Sequence, residues 1–181
     1  NILSAAQTGN GLALLTGTSM ASPHIAGTVA LIRAAHRDWS PAQVESALLG
    51  SALAGSVRQG NGHLETPLDA GAGRAQPASA VAAGLYLPLS NNDISAQNPG
   101  RGGDSRRINR AGIEDEHCFQ QCDFMRTVVD QSGGGTWQVS VSGTEGAIIQ
   151  VTPAQFTLSP GAAQTLKIAV DVSAPSLPGT W

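Results

Sequence analysis

The sequence predicts a chain in two parts, a first part whose helices need a large core and a second part that is an all-β sandwich. Three patterns in the 181 residues predict it. Residues 25–32 read Ile-Ala-Gly-Thr-Val-Ala-Leu-Ile, apolar almost all round, as in a helix buried on every side. Trp137, Val139 and Val141 alternate with Gln138, Ser140 and Ser142, and Leu166, Ile168, Val170 and Val172 alternate with Lys167, Ala169, Asp171 and Ser173. Period two predicts strands with one buried and one wet face. Residues 90–107, with Ser-Asn-Asn-Asp and Asn-Pro-Gly-Arg-Gly-Gly-Asp-Ser-Arg-Arg, hold few large apolar side chains and read as a linker or long surface loop.

In chain order, Gly17 allows a tight turn and close approach of another group. Thr18 and Ser19 suit a helix N-terminus, and Pro23 is expected in the first turn, where its missing N–H costs little. Ser40-Pro41-Ala42-Gln43 combines a Ser N-cap, Pro at the first position and Gln closing a capping box, so a second helix should run to about Ala52. Gly60-Asn61-Gly62 marks a turn, Pro77 to Ala83 a short helix, and Gly84-Leu85-Tyr86 the close of the first part. Gly71 and Gly73 could suggest a phosphate loop, but Gln76 stands where a third glycine would be, and tight packing is the better account. Phe124 to Val129 and Ile148 to Val151 are further strands, with turns at Gly133-Gly134-Gly135, Ser142-Gly143 and Ser159-Pro160-Gly161.

Residues 17–27, Gly-Thr-Ser-Met-Ala-Ser-Pro-His-Ile-Ala-Gly, resemble the segment that carries the nucleophilic serine in subtilisin-like serine proteases (subtilases). Capping a helix does not by itself ask for eleven matching positions. A serine at the head of a buried helix sits where N–H groups point outward and the dipole is positive, so its own N–H can stabilise an oxyanion. The resemblance implies that Ser19 is the nucleophile, that its backbone N–H is half of the oxyanion hole, and that Thr18 and Gly17 line the cleft beside the leaving group. It also implies an α/β fold in which this helix packs on a mostly parallel sheet. Pro67-Leu68-Asp69-Ala70-Gly71-Ala72-Gly73-Arg74-Ala75-Gln76-Pro77 resembles the glycine-rich segment that follows the serine helix in large subtilases. Phe124-Met125-Arg126-Thr127-Val128 and Phe156-Thr157-Leu158-Ser159-Pro160-Gly161 resemble the fibronectin type III-like domain appended to many of them, with Ile108 to Ile113 as a degenerate first strand.

In the family the catalytic Asp and His precede the Ser, an order for which subtilisin is the standard case. Eighteen residues precede Ser19 here, and none is Asp or His. A serine hydroxyl is a weak nucleophile until a base takes its proton. His24, five residues on, is turned about 140° around the helix axis, and His36 lies turns further along. His63 reads as a turn residue and His117 belongs to the second part, so all four histidines read as packing or surface residues. The expectation is a carboxyl-terminal fragment, truncated at both ends, inactive alone and prone to aggregate through its first half. Residues 1–88 would be the end of the catalytic domain, 89–107 a linker or surface loop, and 108–181 the incomplete sandwich.

The 41% hydrophobic and 13% charged residues suit a packed core, and a net charge of −3 gives no general attraction to nucleic acid or acidic membranes. No apolar run reaches the roughly 18 residues of a membrane span. Arg101, Arg106, Arg107 and Arg110 form a basic cluster without interleaved aromatics, which reads as solvated linker, or at Arg106-Arg107 as a processing site. Cys118 and Cys122 flank three residues, too few ligands for a metal site and the wrong spacing for a redox Cys-x-x-Cys, so a local disulfide is expected in an exported protein. Glu114-Asp115-Glu116-His117 could mimic a hard-metal site but reads as a solvated charge run. No cofactor is expected; calcium sites, common in the family, would lie upstream.

The expected function is that of a secreted, bacterial subtilisin-like serine endopeptidase, acting as a monomer on polypeptide substrates. One alternative is a non-catalytic fragment whose working part is the β-sandwich. An unrelated serine hydrolase is disfavoured, because Ser19 lies in Gly17-Thr18-Ser19-Met20-Ala21 and not in Gly-x-Ser-x-Gly.

Overall fold

A computed structural model of the chain describes residues 2–6, 9–58, 62–63, 65–115, 117–142 and 147–173. The turn at Gly60-Asn61-Gly62, Gly143, Glu116 and the final Gly179-Thr180-Trp181 lie wholly or in part outside the described residues. A hairpin, β1 (Ile2–Ala5) and β2 (Leu12–Leu15), leads directly into the long helix α1 (Thr18–Ala35). Helix α2 (Pro41–Gly50) starts as its sequence predicts, with Ser40 Oγ accepting from Gln43 N–H and the Gln43 side chain accepting from Ser40 N–H. Short helices α3 (Pro67–Ala70) and α4 (Pro77–Val81) follow.

The first core forms where α1, α2 and α4 meet. Ile32, Trp39, Val44, Ala47 and Ala80 are buried, with Val29, Leu48, Val81 and Ala83 half-buried around them. His36 stacks on Trp39 with ring centroids 3.8 Å apart and hydrogen-bonds the Val81 carbonyl through Nε2 at 2.7 Å. Gly73 explains its own presence, because a Cβ there would lie 2.3 Å from the Leu53 carbonyl oxygen, where residues 53 and 74 bridge.

The expected all-round burial of α1 is corrected here. Only the stripe through Thr28, Val29 and Ile32 is covered, by α2 and α4, while Ile25 is 39% and Leu31 61% exposed. The apolar pattern is real, yet the described residues supply neighbours for one side alone. Leu3, Leu12, Leu14 and Leu15 of the hairpin are exposed as well. All strand pairing among the described residues is antiparallel.

The second half is two antiparallel sheets sharing one core. The larger runs β3 (Leu85–Tyr86), β4 (Gln121–Asp130), β8 (Ala163–Asp171), β6 (Ile148–Thr152), and the smaller pairs β5 (Gly135–Gln138) with β7 (Gln155–Leu158). Alternation along β4 turns Phe124, Arg126, Val128 and Asp130 inward. Val128, Phe156 and Leu158 form the buried centre, ringed by Leu85, Leu87, Trp137, Val139, Ala162 and Leu166. The periodicity of residues 137–141 ends early: β5 stops at Gln138, and Val141 is 43% exposed.

Residues 108–113, expected as a degenerate first strand, are not a strand. They lie along β4 as a strap held by side chains. The Asn109 carboxamide takes the place of a ladder partner, accepting from Thr127 N–H at 2.8 Å and donating to the Thr127 and Pro88 carbonyls, both at 2.9 Å. The buried Arg126 guanidinium, with no carboxylate partner among the described residues, donates to the carbonyls of Arg106, Arg110, Gly112 and Met125. Burial holds its pKa below the usual arginine value. The strap thereby covers the edge of β4 beyond the short β3. Residues 89–107 contain α5 (Asn91–Ala96), capped by Ser90 and Asp93, and two 3-10 turns at Pro99–Arg101 and Ser105–Arg107. Arg106 pairs with Asp104 and Asp115, and Arg110 with Glu45 of α2. Arg106-Arg107 thus sits in a tied turn.

The halves interlock. At the join Trp137 packs against Gly84, its Cη2 2.3 Å from where a Gly84 Cβ would stand. The Gln131 backbone N–H donates to the Gly84 carbonyl at 2.9 Å, its side chain donates to the Ala83 carbonyl at 3.0 Å, and it accepts from Gln43 of α2. Gly84→Ala should therefore cost about 1–3 kcal/mol through overpacking, whereas Gly112→Ala, with nothing near its Cβ position, should be near neutral. Urea unfolding of the two variants checks this; equal midpoints would contradict it.

Asp130, 3% exposed, accepts from Ser132 Oγ and from the N–H groups of Gly133, Gly134 and Gly161. Burial pushes its pKa up, but these hydrogen bonds outweigh it and the net shift is downward. A lowered folded-state pKa contributes stability that is complete above the ordinary aspartate value, about 4, and is lost as pH falls through the lowered value. Asp130→Asn should flatten that acid limb of the melting-temperature profile; an unchanged limb would show that Asp130 does not carry it.

Candidate active site

Gly17 is the N-cap of α1 and has φ 152°, ψ 168°, a conformation open to glycine and strained for other residues. No side chain caps the helix; Met20 and Ala21 N–H both reach the Gly17 carbonyl, at 3.0 and 3.3 Å. Thr18 and Ser19 are thus the first two helical residues, both exposed, with N–H groups that no helical carbonyl can receive. Those donors stand at the positive end of an 18-residue helix, in the same first turn as Ser19.

Pro23 stands in the second turn of α1, not the first as its sequence position suggested. Its place has a consequence four residues back. Ser19 C=O would take its helical bond from the N–H of residue 23, and proline has none. Both backbone groups of Ser19 therefore stand outside the helix ladder. The signal was present in the sequence as the Ser-x-x-x-Pro spacing.

His24 uses Nδ1 on the Met20 carbonyl at 2.7 Å, and Thr28 donates its hydroxyl to the His24 carbonyl at 2.9 Å. His36 is engaged by Val81 and Trp39. His117 is on the strap's far end, its N–H donating to Asp115 Oδ1. Among the described residues nothing hydrogen-bonds the Ser19 hydroxyl, and His24 and His36 are engaged elsewhere. Cys118 and Cys122 are joined by a disulfide, Cα atoms 5.6 Å apart, which closes the local loop of residues 118–122 at the start of β4. Among the described residues no group of three His, Cys, Asp or Glu side chains could hold a metal ion. Among the described residues no helix is long and apolar enough to cross a membrane.

Residues 1–84 match the model of the Subtilase family. The chain is 28% identical over 197 aligned positions to "Subtilisin-like protease SBT2.5" of Arabidopsis thaliana, covering 91% of this chain and 24% of that protein. It is 30% identical over 199 positions to "Subtilisin-like protease SBT2.6" of the same plant, with the same coverage, and 40% identical over 94 positions to "Subtilisin-like protease SBT3.8", covering 46% of this chain and 12% of the relative. The chain spans about a quarter of the length of the relatives that match it throughout. These comparisons support the subtilisin-like family read from residues 17–27. They do not support the expected bacterial source, since these relatives are from a plant.

Pro23→Ala should let the new N–H close on the Ser19 carbonyl and protect that amide from hydrogen exchange, with helix stabilisation of up to about 3 kcal/mol. An amide at position 23 that exchanges as fast as an unfolded peptide would contradict the assignment.

Proposed function

We propose that this chain is the carboxyl-terminal portion of a subtilisin-like serine endopeptidase in which Ser19 is the nucleophile. The observation that carries the proposal is the position of Ser19 at the head of α1, exposed, with its N–H unclaimed by the helix and its carbonyl released by Pro23. Ser19 Oγ attacks the peptide carbonyl carbon as a histidine from sequence outside these 181 residues takes its proton. The tetrahedral oxyanion faces the Ser19 N–H and the helix dipole, the C–N bond breaks, and the amine leaves with the proton. Water then releases the acyl group. Thr18 and Gly17 flank the leaving side of the cleft. The chemistry uses no cofactor.

The second half fits a fibronectin type III-like sandwich, supported by two antiparallel sheets around one core. Its bonds through Gln131 and Glu45–Arg110 to α2 favour a supporting role toward the helical half over that of a freely tethered module. The disulfide and the family fit an extracellular protein acting on polypeptides.

Lacking its base, the 181-residue polypeptide should neither hydrolyse a peptide substrate nor react with a fluorophosphonate probe. Joined to sequence carrying the Asp and His, it should do both, and Ser19→Ala should abolish both. Turnover by the 181 residues alone, or labelling that survives Ser19→Ala, would overturn the assignment.

A further inference from the structure

We propose that Asn10 is a site of spontaneous deamidation at the tip of the β1–β2 hairpin, converting to aspartate and isoaspartate. Asn10 is followed by Gly11, whose nitrogen has no side chain beside it to hinder attack. Both residues are exposed, and Gly9 before them has φ 72°, in the left-handed region of a tight turn. The Ala6 N–H holds the Gly11 carbonyl at 2.9 Å, which closes the base of the turn and leaves Asn10 beyond it. Among the described residues no hydrogen bond holds the Asn10 carboxamide.

The other described asparagines lack one or more of these features. Asn91 and Asn92 lie in α5, followed by residues with side chains. Asn98 precedes Pro99, which has no N–H to react, and its Oδ1 accepts from Gly100. Asn109 is pinned at both ends of its carboxamide by Thr127 and Pro88. Asn61-Gly62 shares the dipeptide, but Asn61 lies outside the described residues.

The chemistry balances with water alone. The deprotonated Gly11 nitrogen attacks Asn10 Cγ, a five-membered succinimide closes, and the Cγ–Nδ2 bond breaks as ammonia leaves with the proton. Water opens the ring at either carbonyl, giving aspartate or isoaspartate and one new negative charge. Isoaspartate also adds a methylene to the main chain of a hairpin whose pairing sets Ala5 opposite Leu12. A two-stranded hairpin is marginal by itself, and β2 runs directly into Gly17 and Ser19. The inference stands apart from the role proposed for Ser19.

The test is to incubate the 181-residue protein in mildly alkaline buffer, digest it under denaturing conditions and map the tryptic peptide ending at Arg33. The expected result is conversion at Asn10, isoaspartate exceeding aspartate, with Asn98 and Asn109 unchanged. Gly11→Ala should slow the reaction several-fold and Asn10→Gln should silence it. Asn10 remaining amidated in the folded protein while the urea-unfolded chain converts would overturn the proposal. So would conversion at an unchanged rate in Gly11→Ala.

Discussion

The packing of Ile32 into the core with Val44, Ala47 and Ala80 is the contact on which the rest depends. It anchors the helix whose first turn presents Ser19. The helices that hold it, α2 and α4, are themselves fixed to the sandwich. Gln131 reaches Gln43 on one side and Ala83 on the other, and Leu85 carries the chain from the first core into the second. Burial of one isoleucine is worth about 1.5–3 kcal/mol, a large fraction of a domain's net stability of about 5–15 kcal/mol. Loosening that contact would therefore cost the helical half a large part of its stability.

Much of the fold was legible in the sequence where a local rule decides the outcome. The capping box at Ser40 and Gln43 is written in adjacent residues, and its hydrogen bonds form as read. Alternation in residues 121–130 and 163–171 sets which side chains face the core, because a strand has no other period. The covering of α1 was not legible in the same way. An apolar surface states a need for partners, and Ile25 and Leu31 are exposed because the described residues do not include them.

The strap along β4 escaped pattern reading for a different reason. Asn109 and Arg126 replace a backbone ladder with side-chain bonds, and these leave no periodic trace. The join at Leu85–Tyr86 is two residues long, below the length at which alternation means anything. At the candidate site the sequence motif picked out the serine, and the Ser-x-x-x-Pro spacing names the carbonyl that Pro23 leaves unbonded. The helix start at Thr18 adds that this carbonyl lies where the ladder would otherwise have taken it.

Ser19, as proposed, belongs to a triad completed by sequence outside these 181 residues. Sequencing the message upstream of the codon for Asn1 tests it most directly. The expected result is an open frame running back through a His-Gly-Thr-type segment and an Asp-Ser/Thr-Gly segment. A start codon immediately before Asn1 would contradict it, leaving a serine without a base and a sandwich as the only candidate for function.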